Sequence, residues 1–211
     1  MAVDPVADVR ALFDILEVGL VWHCMCAVAR LDVPDRLASG PLPVPQLAVA
    51  VDAHEESLRR VLRLLCDHGI VTIENDQVGL TSRGRLLCRE HPLSQHATFA
   101  TVSVQDVAHA LTETLRTGQA AALSALGVSF WDYLAAHPDQ QALFGEQMRQ
   151  QAQILSLPCV PLVEWPATGT VADIAGGIGT LLAAVLRAAP HAHGILVDQP
   201  EVLQRARHFL D

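Results

Sequence analysis

A chain of 211 residues, 51% apolar and 18% charged, can bury one large core or two small ones and is too apolar to be disordered. Its net charge of −9 disfavours nucleic acid as a partner, because phosphate binding needs a basic surface. The N-terminus carries Asp4 and Asp8 instead of a basic leader, the five cysteines are odd in number, and no apolar run approaches the roughly 20 residues of a membrane helix; a cytoplasmic chain with reduced thiols and no membrane partner is expected.

Residues 4 to 30 predict a helix. Leu12, Ile15, Leu16, Leu20, Trp22, His23 and Cys26 recur at three- and four-residue steps with few polar residues between them. A helix apolar nearly all round must be covered on several sides, which predicts a partner chain as well as its own core. Cys24 and Cys26 point in different directions on a helix and read as core cysteines, not a metal pair. His23 reads as a packed histidine. Pro34 is expected to end the helix.

Leu37 to Thr81 has a winged-helix rhythm. A stiff loop, Gly40 to Pro45, leads to a short helix over Val44 to Val51. Asp52 is the expected N-cap of the next helix, with Glu55 in the capping-box position; that helix buries Leu58, Val61, Leu62, Leu65 and Cys66 and stops at Gly69. Ile70 to Ile73 and Val78 to Leu80 predict a hairpin, and Thr81 caps a short helix through Leu87. A winged helix invites a DNA-binding reading, but residues 41–90 hold seven acids against six bases, and the helix that would enter the groove begins Glu55-Glu56. Its arginines suit ion pairs on a solvated face.

Residues 94 to 160 predict further helices: Phe99 to Leu115, a small apolar stretch between Gly118 and Gly127, the aromatic Phe130 to Leu134, and a helix opened by Pro138 that runs toward Leu157. Phe130, Trp131, Phe144 and Met148 form a set able to line a pocket for a flat aromatic substrate, or equally to pack a helix core. Pro158, Pro161 and Pro166 punctuate a linker, and the change of pattern near Trp165 to Thr170 suggests domains at 1–165 and 166–211.

Beyond it the pattern is β/α: a buried strand over Val171 to Ile174, a glycine turn, a helix over Gly179 to Ala189, a strand over Ile195 to Val197, and a helix from Pro200. Asp173-Ile-Ala175-Gly176-Gly177-Ile-Gly179 lets backbone approach a ligand at a helix N-terminus, and Asp198 follows Gly179 by 19 residues, close to the ~20 expected of a ribose-binding acid. The carboxylate of Asp198 can accept both ribose hydroxyls, or cap the helix at Pro200. Asp173 can orient the turn or face an ammonium. His191 and His193 are placed in a solvated loop away from the strand C-termini, where ligands of open α/β sheets sit.

The glycine motif resembles the first motif of class I S-adenosylmethionine-dependent methyltransferases. The whole chain resembles the small-molecule O-methyltransferases of bacterial aromatic polyketide and plant phenylpropanoid type. The matching phrases are Leu58 to Arg63 with His68-Gly-Ile70, Leu80 to Arg85, Ser129 to Leu134, Asp173 to Gly179 and Leu196 to Val202. The resemblance implies a mostly α winged-helix dimerisation domain followed by the first βαβ part of an α/β Rossmann-like domain. It implies S-adenosyl-L-methionine as donor, a small aromatic hydroxyl as acceptor, and a homodimer. Carried over, Asp173, Ala175, Gly176, Gly177, Gly179 and Asp198 would border the donor, and Phe130, Trp131, Phe144 and Met148 the acceptor. The family's general base is a histidine beyond the second strand. No residue here matches it, so no catalytic residue is assigned and the chain alone is expected to be inactive. Ala175 stands where many such enzymes have glycine. Two other roles fit the same sequence: a non-catalytic dimerisation or scaffold partner of a full-length relative, and a winged-helix regulator with a ligand-sensing tail.

Overall fold

The computed structural model describes residues 5–102 and 104–210. It resolves into two compact units, Met1–Ala100 and Thr101–Asp211. The change of pattern near Trp165 to Thr170 therefore falls inside the second unit.

The first unit opens with α1 (Pro5–Arg30). By length and composition alone α1 is long and apolar enough to cross a membrane, which corrects the expectation that no such segment exists. It is nonetheless a packed element. Val21, Cys26, Val28 and Ala29 are buried, and Glu17 pairs with His68 at 3.1 Å. Toward its N-terminus Leu12, Phe13, Ile15 and Leu16 are each about two-thirds exposed, an unpartnered apolar face. His23 is exposed, not packed. Burial raises the thiol pKa of Cys24, in keeping with an inert cysteine.

Asp32, in left-handed conformation, turns the chain into α2 (Val33–Leu37), where Pro34 sits in the first turn. The proline starts this helix; α1 has already ended. β1 (Leu42–Pro43) forms within what the sequence presents as a loop, pairing antiparallel with Gln77 and Val78. α3 (Val44–Ala50) and α4 (Glu55–Asp67) follow. His54 caps α4, its Nδ1 accepting from Ser57 N at 3.4 Å. Asp52 does not, because its backbone is left-handed and still turning between the helices. Gly69, at φ 67°, closes α4 as expected. β2 (Val71–Glu74) and β3 (Gln77–Leu80) form an antiparallel hairpin turned by Asn75 and Asp76, both at positive φ. The sheet order is β1-β3-β2. Arg59 of α4 pairs with Glu55 and Asp76, so this arginine does form ion pairs on the helix surface.

Thr81 caps α5 (Ser82–Arg85) by accepting from Gly84 N at 3.0 Å, and its hydroxyl also reaches the carbonyls of Gly69 and Ile70. α6 (His96–Ala100) closes the unit, with Phe99 against Trp22 at 4.8 Å between ring centroids. Leu37, Leu47, Leu62, Leu65 and Val78 form the centre of the core.

In the second unit the long helix read over Phe99 to Leu115 is broken into α7 (Val104–Val107), a 3-10 turn (Ala108–Ala110) and α8 (Leu111–Thr117). α9 (Ala121–Leu126) lies between Gly118 and Gly127. α10 (Phe130–Ala136) is capped by Ser129, which accepts from Asp132 N at 3.1 Å. Pro138 opens α11 (Pro138–Leu155), followed by a 3-10 segment (Leu157–Leu162). β4 (Gly169–Ile174), α12 (Thr180–Ala188), β5 (Ala192–Val197) and α13 (Pro200–Leu210) complete the chain. β4 and β5 are parallel, in register from Gly169–Ala192 to Ile174–Val197.

α12 packs onto β5 so closely at Gly194 that a Cβ there would lie 2.6 Å from Leu186 Cδ1. The strand expected to be buried is largely open: Ile174 is 75% exposed, because among the described residues β4 has a single neighbouring strand. His193 belongs to the start of β5, not to a loop. It is exposed and lies at the end opposite the strand C-termini.

Candidate functional site

A cavity of about 700 Å³ opens at the C-terminal ends of β4 and β5, where ligands of open α/β sheets bind. One wall is the turn between β4 and α12. Ala175, Gly177 and Gly179 all have positive φ, at 60°, 60° and 85°. Gly176 has no room for a side chain: a Cβ would lie 2.5 Å from Asp173 Cγ and 2.6 Å from Leu196 Cδ1. Ala175 N donates to Val197 O at 2.8 Å, which ties the turn to the end of β5.

Asp198 locks this wall. One carboxylate oxygen accepts from Gly177 N at 2.8 Å, the other from Gln199 N at 2.7 Å. It thus joins the glycine turn to Gln199, the residue before α13; among the described residues its carboxylate bonds no N–H within α13, so the helix-capping role weighed from sequence is not taken up. A carboxylate offers about four acceptor sites, so roughly two remain for hydroxyls of a ligand. Asp173 Oδ2 and Thr180 Oγ1 are buried without hydrogen-bond partners, and both residues line the cavity. Unsatisfied buried polar atoms on a cavity wall are sites a ligand can satisfy.

The opposite wall is aromatic and aliphatic. Trp131, Phe144 and Met148 line it; Phe130 stands behind. Phe130 packs edge-on against Trp131 at 5.5 Å and Phe144 at 5.4 Å, and Trp131 packs edge-on against Phe144 at 5.9 Å. Gly179 is likewise behind the surface: it is the N-cap of α12 and donates its N–H to Gly176 O at 3.0 Å. Of the residues singled out from sequence, the structure gathers Asp173, Ala175, Gly176, Gly177, Asp198, Trp131, Phe144 and Met148 around one space.

Two arginines on this cavity are not evident from sequence. Arg149 makes a two-pronged ion pair with Glu146, at 2.7 and 2.6 Å. These bonds hold the Glu146 carboxyl below its ordinary pKa and raise that of Arg149. Arg205 of α13 donates to Gln141 O of α11 at 3.0 Å. The sequence does hold one clue to it: Gly145 interrupts the middle of α11 with no turn to justify it. Among the described residues the cavity lining contains no histidine.

Fold and cavity define a Rossmann-like ligand-binding unit that follows a winged-helix unit. Residues 13–90 match the O-methyltransferase dimerisation domain, and residues 108–211 match the O-methyltransferase domain. The chain is 33% identical over 193 residues to the phenazine O-methyltransferase PhzM of Lysobacter antibioticus, covering 88% of this chain and 55% of that protein. It is 32% identical over 202 residues to the mitomycin biosynthesis 6-O-methyltransferase of Streptomyces lavendulae, covering 93% of this chain and 58% of that protein. The crystal structure of the O-methyltransferase NcsB1 from neocarzinostatin biosynthesis, in complex with S-adenosylmethionine and 2-hydroxy-5-methyl naphthoic acid, superposes with a TM-score of 0.78 at 30% identity, covering 92% of this chain and 61% of that one. The chain belongs to this family of S-adenosylmethionine-dependent O-methyltransferases with an N-terminal dimerisation domain, many of whose members serve natural-product biosynthesis. It spans somewhat over half the length of the relatives it matches.

Proposed function

We propose that the second unit binds S-adenosyl-L-methionine and holds a small aromatic hydroxyl compound beside it, as part of an O-methyltransferase of natural-product biosynthesis that is a homodimer through its first unit. The observation that carries this is the Asp198 carboxylate, bound to Gly177 N at 2.8 Å on the wall of an open cavity. The residues fit the donor. Positive-φ backbone at Ala175 and Gly177 lets a ligand approach the turn. Asp198 has acceptor capacity left for two ribose hydroxyls, and the unpartnered Asp173 Oδ2 suits an ammonium. The bound donor supplies an electrophilic methyl group on a sulfonium. Trp131, Phe144 and Met148 supply flat, polarizable surface that orients an aromatic ring, so the gain comes mainly from positioning.

Removal of the acceptor's hydroxyl proton has no dedicated group among the described lining residues, since Asp173 is assigned above to the donor's ammonium. Asp198 is committed to two backbone N–H groups and no histidine is present there. This chain by itself is therefore expected to bind without turning over. The exposed apolar face of α1, within a matched dimerisation domain, supports a second copy as its cover. Equilibrium dialysis with labelled S-adenosylmethionine tests the proposal. Saturable retention that S-adenosylhomocysteine displaces is expected, and absence of retention would refute it.

A further inference from the structure

Arg205 is a half-buried guanidinium on the wall of a mainly apolar cavity, and among the described residues no carboxylate lies within ion-pair distance of it. Among the described residues the guanidinium's one hydrogen bond is to the backbone oxygen of Gln141 at 3.0 Å. That bond uses one of five donors. The neighbouring cation, Arg149, differs: Glu146 neutralises it with two short bonds. So, among the described residues, one positive charge on this cavity is balanced by a carboxylate and the other is not.

The backbone makes room for the unbalanced one. Gly145 lies inside α11, where glycine costs roughly 1 kcal/mol relative to alanine. A Cβ at this position would lie 3.0 Å from Arg205 Nη2 and 3.6 Å from Arg205 Cζ; no other group comes nearer. The guanidinium therefore rests on bare helix backbone, one residue from Phe144 and three from Met148, at the aromatic wall. A helix that gives up stability to admit a cation beside a pocket for flat rings is organised to bind an anion carried by such a ring.

We propose that Arg205 is a specificity-determining residue, and that the preferred acceptor is an aromatic hydroxyl compound bearing a carboxylate that pairs with it. A planar guanidinium matches a carboxylate through two parallel N–H···O bonds, and in a partly desolvated site such a pair discriminates strongly against a neutral amide. The proposal rests on the aromatic-acceptor reading above and narrows it to one class of acceptor.

The test compares 3-hydroxy-2-naphthoate with 3-hydroxy-2-naphthamide, which share ring and hydroxyl and differ in charge. Binding to the whole chain is followed by quenching of tryptophan fluorescence, Trp131 being on the wall. The acid should bind at least about tenfold more tightly than the amide. Arg205→Met should bring the two within about threefold by weakening the acid alone, while Arg205→Lys keeps part of the preference. Gly145→Ala, which displaces only the end of a flexible side chain, should weaken the acid and spare the amide. Equal affinities in the unaltered chain, a comparison that needs no variant, would overturn the charge assignment and leave the aromatic pocket standing. A preference that survives Arg205→Met would also overturn it. Failure of both compounds to bind would remove the aromatic pocket and this assignment together.

Discussion

The carboxylate of Asp198 accepts the N–H of Gly177 at 2.8 Å, across a separation of 21 residues, and so fastens the glycine turn to the end of β5. A charge-assisted bond of this kind contributes about 1.5–3 kcal/mol, and its loss leaves Gly177 N and Gln199 N without an acceptor. Asp198→Ala is therefore expected to destabilise the second unit by about 2 kcal/mol, read as a lowered urea midpoint.

Ala175 holds φ at 60°, a conformation that disfavours any Cβ. Ala175→Gly removes that penalty but loosens the unfolded chain, and the two effects offset in part. The net expectation is a gain of about 0.5–1 kcal/mol, seen as a raised urea midpoint with unchanged slope. A loss of stability would show that the methyl group makes a packing contribution.

Gly84 is the most demanding glycine of the first unit. A Cβ there would lie 2.0 Å from Ile70 O, a backbone atom held by the Thr81 cap. Gly84→Ala must part α5 from the hairpin and should cost more than about 3 kcal/mol. Soluble yield and far-ultraviolet circular dichroism of the variant check this.

The exposed face of α1 carries Leu12 and Leu16 one turn apart. Burying that face against a second copy predicts a dimer that Leu12→Glu with Leu16→Glu converts to monomer, since like charges would meet across a two-fold interface. Sedimentation velocity distinguishes the two states. A monomeric unaltered chain at micromolar concentration would contradict the role assigned to α1.

Acid should loosen α11. Glu146 has a folded-state pKa below its ordinary value, chiefly through its hydrogen bonds from Arg149. The sign follows directly. The pair's contribution is complete above the unfolded carboxyl value and is lost as pH falls through the depressed folded value. Because Glu146 is 40% exposed, the contribution is under about 1 kcal/mol. Glu146→Gln should flatten the acid limb of the stability–pH profile by that amount and leave neutral pH little affected.

The glycine turn and Asp198 were legible in the sequence because strand, turn and helix are local, and their spacing fixes where the acid falls. The hairpin was legible for the same reason, its turn residues Asn75 and Asp76 supplying the positive φ it needs. What was hidden depends on packing. Phe130 and Trp131 are adjacent in sequence, yet only the second faces the cavity, because α10 turns them to different sides. Arg205 meets α11 across 64 residues, a contact that no periodicity encodes. Leu42–Pro43 reads as a proline-rich loop and becomes a strand only by pairing with β3. Asp52 is by composition a better cap than His54 and loses the role to backbone direction. The apolar composition of β4 signals burial, but burial requires neighbours, and Ile174 lacks them among the described residues.

Calorimetric titration of S-adenosylhomocysteine into the 211-residue chain and into Asp198→Asn tests the donor site most directly. The expected result is micromolar binding at one site per chain, weakened at least about tenfold in the variant while its circular dichroism is retained. No heat of binding to the unaltered chain, or equal affinity in the two proteins, would contradict the assignment of this cavity to the donor.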